Sequence, residues 1–367
     1  MTARAEHSPA HSLIREANNI SPLPHPFVSA PALEGGFADG LVAMLEIHHG
    51  LGAYILVLAN AAYDASLWKL LSPALSAHHA ELAAAITETL RRGHKLNEPD
   101  DDVLVFLKLH AIGFDHLGIM ESRRTGSWYL SFNPIRALRP PRISGLKFES
   151  LLRPFDPAGF HFNKAFLAPE ILWQGELAGK AARILYNKFP FALLHGLLVP
   201  EPLREMPQSL TPELHGWAWD ICEQSGVPGL CLGYNSHGAG ASVNHLHFQS
   251  FVQTNPLPVQ DSRFVHNGGI QHYPLPCQRF TDAATAWFQL DHLHQHSIPY
   301  NLIYSQGCLH LIARVPQDSG KLSDPCRGYG WSEMAGAVTL FSREAFEGLS
   351  AVEFEGELVK FAPEPGG

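Results

Sequence analysis

Apolar positions change their spacing along this chain. Through residues 37–96 they are dense and rich in Ala and Leu, and within residues 76–90 Leu82, Ile86 and Leu90 recur on one face at helical spacing. The most apolar run, residues 51–62, is about a dozen positions long, well short of the roughly 20 that cross a bilayer. A small helical cap is predicted, preceded over residues 1–35 by a loosely held arm rich in Pro, Ser and His. Beyond the turn Asn97-Glu98-Pro99-Asp100-Asp101, the apolar run 103–109 predicts a strand, and residues 127–132 predict a second. From residue 148 short apolar runs alternate with turns. Residues 151–156, 160–164, 182–186 and 191–200 predict strands, with Asn187-Lys188-Phe189-Pro190 as a turn. Thr211 as N-cap, Pro212 in the first turn, and Leu214, Trp217, Ala218 and Ile221 at helical spacing predict a helix ending near Gly226. Residues 230–234 and the segment 240–251 follow as strands, residues 281–295 as a helix, and residues 299–304 and 308–314 as a hairpin around Ser305-Gln306-Gly307. The sum is an α+β protein, an antiparallel sheet with flanking helices and an N-terminal helical region. Its predicted units are residues 1–125 for the arm and helical region, 126–355 for the sheet domain, and 356–367 for a frayed tail.

Composition narrows the function classes. The chain has 367 residues, 46% hydrophobic and 17% charged, so it can bury a sizeable core. A net charge of -9 argues against a nucleic-acid polymer as partner, because polymer phosphates are met by clustered Lys and Arg. A small anionic substrate needs only a few local groups. Five scattered cysteines (Cys222, Cys231, Cys277, Cys308 and Cys326), with no Cys-x-x-Cys pair, read as free thiols in a reducing compartment. With no apolar leader in the first 24 residues and no membrane-length run, a cytoplasmic protein with no membrane partner is expected.

The chemistry concentrates in Gly240-Ala241-Ser242-Val243-Asn244-His245-Leu246-His247-Phe248-Gln249. In a strand, His245, His247 and Gln249 would share one face, with Leu246 and Phe248 packed behind. His247 offers a ring nitrogen as nucleophile, His245 orients it, and the Gln249 amide donates to an oxygen that gains charge. With 22 His in the chain, chance gives such a triplet odds on the order of a few per cent, so context matters. Ser242 and Gly240 supply a small turn where a hydroxyl and backbone N–H groups can hold a phosphate. Asn235 and Ser236, at the end of the preceding strand, are further phosphate contacts. A second cluster, His292-Leu293-His294-Gln295-His296, falls on a predicted helix end, where alternate residues do not share a face. The pairs His48-His49 and His78-His79 read as polar helix positions, and no metal site is assigned.

The Gly-Ala-Ser-x-x-His-x-His-x-Gln pattern resembles the transferase branch of the histidine-triad superfamily: galactose-1-phosphate uridylyltransferases, diadenosine tetraphosphate phosphorylases and GDP-hexose phosphorylases. The hydrolase branch has a third His where Gln249 stands. That resemblance implies a histidine-triad-like sheet, as one module or a duplicated pair. It also implies a nucleotidyl group carried covalently on His247, Gln249 on the non-bridging oxygens, and His245 in support. Residues 133–142, 154–164 and 195–200 are similar in order to segments of the GDP-hexose phosphorylases, while residues 187–190 resemble the diadenosine tetraphosphate phosphorylases. On this likeness Asn133, Arg136, Asn163 and Lys164 become nucleotide contacts, and His195 is either a supporting residue or a capped core histidine. The partners implied are a nucleotide and inorganic phosphate or a sugar phosphate; no resident cofactor is required, and magnesium enters only as a substrate counter-ion. Dinucleoside polyphosphate and adenylyl sulfate stay open as substrates, as does a non-catalytic nucleotide-binding regulator.

Overall fold

The computed structural model describes residues 24–139, 147–322 and 328–363. Four helices come first: α1 (Ala30–Ile47), α2 (Leu51–Ala61), α3 (Ala65–Arg91) and α4 (Asp100–Ile112). Ser29 caps α1 by accepting from the Ala32 N–H, and Asp64 caps α3 by accepting from Ser66 and Leu67. The predicted arm is therefore anchored from residue 24 onward, with Phe27 and Leu33 buried. α2 is apolar all round because the other helices surround it; Tyr54 to Leu58 are each at most 1% exposed. Among the described residues no helix is long and apolar enough to cross a membrane.

The run 103–109 is helical, not a strand. Three consecutive acids, Asp100 to Asp102, occupy the first turn of α4, where they complement the helix dipole. Val105, Phe106 and Leu109 are buried together, spacing that a helix satisfies and an alternating strand does not.

A hairpin of β1 (Glu121–Thr125) and β2 (Trp128–Phe132) follows, then a short helix α5 (Pro134–Ala137). The expected boundary at residue 125 thus falls inside a hairpin. The helical core also continues into the later chain, since Ile135, Tyr186 and Phe189 are buried within it. Residues 147–164, expected to hold two strands, contain none. Turns and side chains, not a ladder, meet their backbone groups: Asp156 accepts from Ala158, His161 from Asn163, and the Arg153 and Pro154 carbonyls accept from Asn244.

The main sheet comprises β3 (Ile171–Leu177), β4 (Lys180–Tyr186), β5 (Leu193–Pro200), β6 (Leu230–Asn235), β7 (Phe248–Val252), β8 (Cys277–Phe280), β9 (Tyr300–Ser305) and β10 (Cys308–Ala313). They are antiparallel in the order β3-β4-β5-β7-β6-β9-β10-β8. Helix α6 (Pro212–Gln224), capped by Thr211 as expected, joins β5 to β6, and α7 (Ala283–Gln295) joins β8 to β9. Strand order repeats accordingly: β5-β7-β6 from one strand-helix-strand-strand unit meets β9-β10-β8 from a second across the β6–β9 pair. The repetition lies within residues 193–313, not in the helical region.

Alternation along the strands separates two faces. Leu198, Leu232, Phe248, Leu302 and Leu311 pack under α6 and α7 through Trp217, Ile221, Leu290 and Leu293. The other face carries Cys231, Phe251, Ile303 and Ile312 against Trp331 of helix α8 (Trp331–Met334). Gly233 permits that contact, because a Cβ there would lie 2.5 Å from the indole. Trp331 stacks on Phe251 with centroids 4.4 Å apart. Strand β11 (Ala337–Leu340) then pairs parallel to β2, and α9 (Arg343–Gly348) and α10 (Ala351–Val359) close the chain. Residues 356–361 are no tail: Leu358 and Phe361 are fully buried against Trp128 and Phe354.

Candidate active site

His247 does not begin in a strand. The ladder starts at Phe248, and residues 241–247 form an irregular lead-in whose Leu246 and Phe248 are nonetheless buried in the core, as expected. Two acceptors meet at the His247 Nδ1 atom: the backbone oxygen of His245 at 2.8 Å and the Gln208 Oε1 atom at 3.0 Å. The orientation of Gln208 is fixed independently, because its NH2 group donates to the carbonyls of Asn235 (3.0 Å) and His247 (3.2 Å). Between two acceptors Nδ1 must carry the hydrogen. Nε2 then holds the lone pair, and His247 lines a cavity of about 170 Å³.

Two amides on the walls of that cavity are held by their oxygens. Gln249 Oε1 accepts from the Trp331 indole N–H at 3.0 Å and from His195 Nε2 at 3.1 Å. His195 can donate there because its Nδ1 accepts the Phe191 N–H. Asn235 Oδ1 accepts from Asn301 Nδ2 at 2.7 Å and from the Trp331 backbone N–H at 2.8 Å. With both oxygens taken, each amide has its NH2 group left to offer, and both residues line the cavity. Such fixed donors suit an oxygen that gains negative charge.

Cationic and aromatic groups complete the enclosure. The Arg136 guanidinium lies 4.3 Å over the Phe191 ring and donates to the Phe189 carbonyl, while its Nε has no partner among the described residues. Lys188, on the cavity rim, pairs with Asp102 of α4 at 2.6 Å, and Asn60 of α2 donates to the Asn187 carbonyl at 3.0 Å. The helical region therefore holds the 187–190 turn against the cavity. Phe160, Phe162 and Phe166 form an apolar wall opposite.

Burial holds the His247 ring neutral, its pKa lowered to about 4, and burial likewise lowers His245 to about 4 and His195 to about 3. For His195 the nearby Arg136 charge adds to the effect. The nucleophile's acid limb in kcat/KM is accordingly expected near pH 4, not near 6.5. Stability should be lost earlier. In an unfolded chain these rings take up protons near pH 6.5, so the folded form loses up to about 1.4 kcal/mol per pH unit per ring as pH falls from 6.5 toward 4. Denaturant midpoints measured from pH 7 to 4.5 check this, and a flat profile would contradict it.

The other sequence-predicted residues divide cleanly. Ser242 and Gly240 line the cavity, but the Gly240 N–H is already bonded to Gln317 Oε1 at 2.9 Å, so only the Ser242 side is free to act as expected. Asn235 and Arg136 line it as well. His245 does not join the row with His247 and Gln249: its Nδ1 accepts the Phe162 N–H and its ring sits among Phe155, His161 and Phe162. Ser236 is buried away from the cavity, accepting from the Tyr300 N–H and donating to the His237 carbonyl. Asn133 is the N-cap of α5, its oxygen taken by the Arg136 N–H. Asn163 bonds the Pro202 carbonyl and Arg183, and Lys164 the Pro157 carbonyl. His195 is fully buried, between the Phe191 N–H and Gln249 Oε1, and does not line the cavity. Arg142 and Cys326 lie outside the described residues, among which Cys222, Cys231, Cys277 and Cys308 are free thiols. The second histidine cluster does not converge: His294 bonds the Tyr300 hydroxyl, while His296 donates back to the His292 carbonyl.

Sequence reasoning missed Gln208 and the holding roles of Trp331 and Asn301. Gln208 sits 39 residues from His247, and no local pattern links them.

The site thus sets a histidine with its lone pair on Nε2 and an oxygen-pinned glutamine on the lining of one cavity beside an antiparallel sheet. Residues 127–251 match the family described as GDPGP1-like, N-terminal domain. Human GDP-D-glucose phosphorylase 1 is 32% identical over 194 residues, 46% of this chain and 49% of that protein. GDP-L-galactose phosphorylase 1 of Arabidopsis thaliana is 25% identical over 253 residues, 57% of this chain and 56% of that one. The chain thus spans about half the length of the curated relatives it matches. A crystal structure of yeast Ap4A phosphorylase Apa2 with AMP superimposes with a TM-score of 0.45 at 16% identity, covering 74% of this chain and all of that one.

Proposed function

We propose that this protein is a nucleotidyltransferase that cleaves a nucleoside diphosphate hexose, of the GDP-hexose type, with inorganic phosphate. His247 Nε2 attacks the α-phosphorus; a P–N bond forms, the bridging P–O bond breaks, and its electron pair leaves on the hexose 1-phosphate. The hydrogen on Nδ1 stays in place, and the charge gained by the ring is stabilised by the His245 carbonyl and Gln208 Oε1. Amide donors of Gln249 and Asn235 meet the non-bridging oxygens as they gain charge. An oxygen of inorganic phosphate then attacks the same phosphorus, the P–N bond breaks, and a nucleoside diphosphate is released with the histidine neutral again. No resident cofactor takes part; magnesium rides on the diphosphate as a counter-ion.

The observation that carries this reading is the fixed tautomer of His247, which leaves the lone pair on Nε2 of a residue that lines the cavity together with the two pinned amides. The similarity to GDP-hexose phosphorylases supports the choice of substrate class. Its test is a panel of GDP-hexoses, Ap4A, adenylyl sulfate and UDP-sugars incubated with labelled inorganic phosphate. Labelled GDP from the GDP-hexoses is expected. Labelled ADP from Ap4A or adenylyl sulfate would reassign the substrate, and no labelled diphosphate from any of them would refute the proposal.

A further inference from the structure

A second cavity of about 260 Å³ lies behind the first, between the β2–β11 pair and the end of β7, and the two share the Phe191 wall. Trp331, which holds Gln249, forms another of its walls. None of the described residues lining it is charged. Its surface combines aromatic rings, including Tyr63 and Tyr129, with the hydroxyls of Ser131 and Thr339, which stand 3.1 Å apart. Rings that cover C–H faces, interleaved with hydroxyl and amide groups and without a charged side chain, match a neutral polyhydroxylated ring and do not suit an anion. Gln253 Oε1, on the same lining, is buried without a partner among the described residues. A buried acceptor of that kind is costly to leave unpaired, so a ligand hydroxyl is the natural donor.

The two cavities adjoin at Phe191. Phe251 of the second lies two residues beyond Gln249 on the same face of β7, roughly 7 Å along the strand. Tyr63, at the second cavity, feels the charge of Arg136, which lines the first. Resting on the reading of the protein as a hexose-releasing nucleotidyltransferase, we propose that this second cavity is the hexose subsite. The phosphate of the leaving hexose 1-phosphate sits toward Arg136 and its hydroxyls meet Gln253, Ser131 and Thr339.

Calorimetric titration of the wild-type chain, Gln253→Met and Thr339→Val with glucose 1-phosphate and with inorganic phosphate tests this. Wild type should bind glucose 1-phosphate at least about tenfold more tightly than inorganic phosphate. Each substitution should reduce that advantage while leaving the affinity for inorganic phosphate unchanged. Equal affinities in the wild type would overturn the proposal, as would an advantage kept by every variant that folds. Thr339→Val decides the matter if Gln253→Met fails to fold. Covalent labelling of His247 by GDP does not depend on this cavity. Labelling without hexose discrimination defeats the subsite alone, and discrimination without labelling defeats the transfer reading alone.

Discussion

His247→Asn is expected to lower phosphorolysis by at least about 10⁴-fold, because an amide offers no lone pair able to form the nucleotidyl intermediate. The fold should survive, since the backbone N–H of residue 247 still donates to Gln208 Oε1 and the flanking Leu246 and Phe248 stay in the core. Turnover and denaturant unfolding measured on the same preparation separate the two effects. A variant with native stability and activity within a hundredfold of wild type would mean that another group carries the nucleotide.

The second large effect belongs to Gln249. Its oxygen is held by Trp331 and His195, so its NH2 group needs no reorganisation as charge develops on the phosphoryl oxygens. Gln249→Ala should cost about 3–4 kcal/mol of barrier, roughly 10²–10³ in rate. The loss should fall on kcat with little change in KM, because the donor matters most where charge is greatest. Trp331→Phe keeps the stacking ring and removes only one of the two holding donors, so it should lower kcat by less than Gln249→Ala does. A Gln249→Ala variant whose KM rises while kcat holds would make the amide a ground-state contact only.

Sequence reading succeeded where the signal is local. Thr211 caps its helix because cap and N–H lie three residues apart, and the hairpin of β9 and β10 follows from alternation around Gly307. The placing of His247 and Gln249 on one cavity lining rests on a two-residue spacing, which is local as well. Failures share a different cause. Residues 103–109 looked like a strand because a short apolar run has no period of its own; the three acids that start the helix decide it. Residues 151–164 carry aromatics that fill the space around His245 instead of joining a ladder. Asn133, Asn163 and Lys164 were read as ligand contacts, yet nearby carbonyls and N–H groups satisfy them, which only tertiary structure reveals. The residues that orient the chemistry, Gln208, Trp331 and Asn301, come from 39, 82 and 66 residues away from the groups they hold.

The proposed chemistry rests on a nucleotide passing through His247 Nε2. Incubating the protein with a GDP-hexose labelled at the α-phosphorus, without inorganic phosphate, and mapping the label by mass spectrometry tests that step. An acid-labile, base-stable GMP adduct on His247, discharged as GDP when phosphate is added, is the expected result. Turnover with no adduct at His247, or with the label on a different residue, would contradict it.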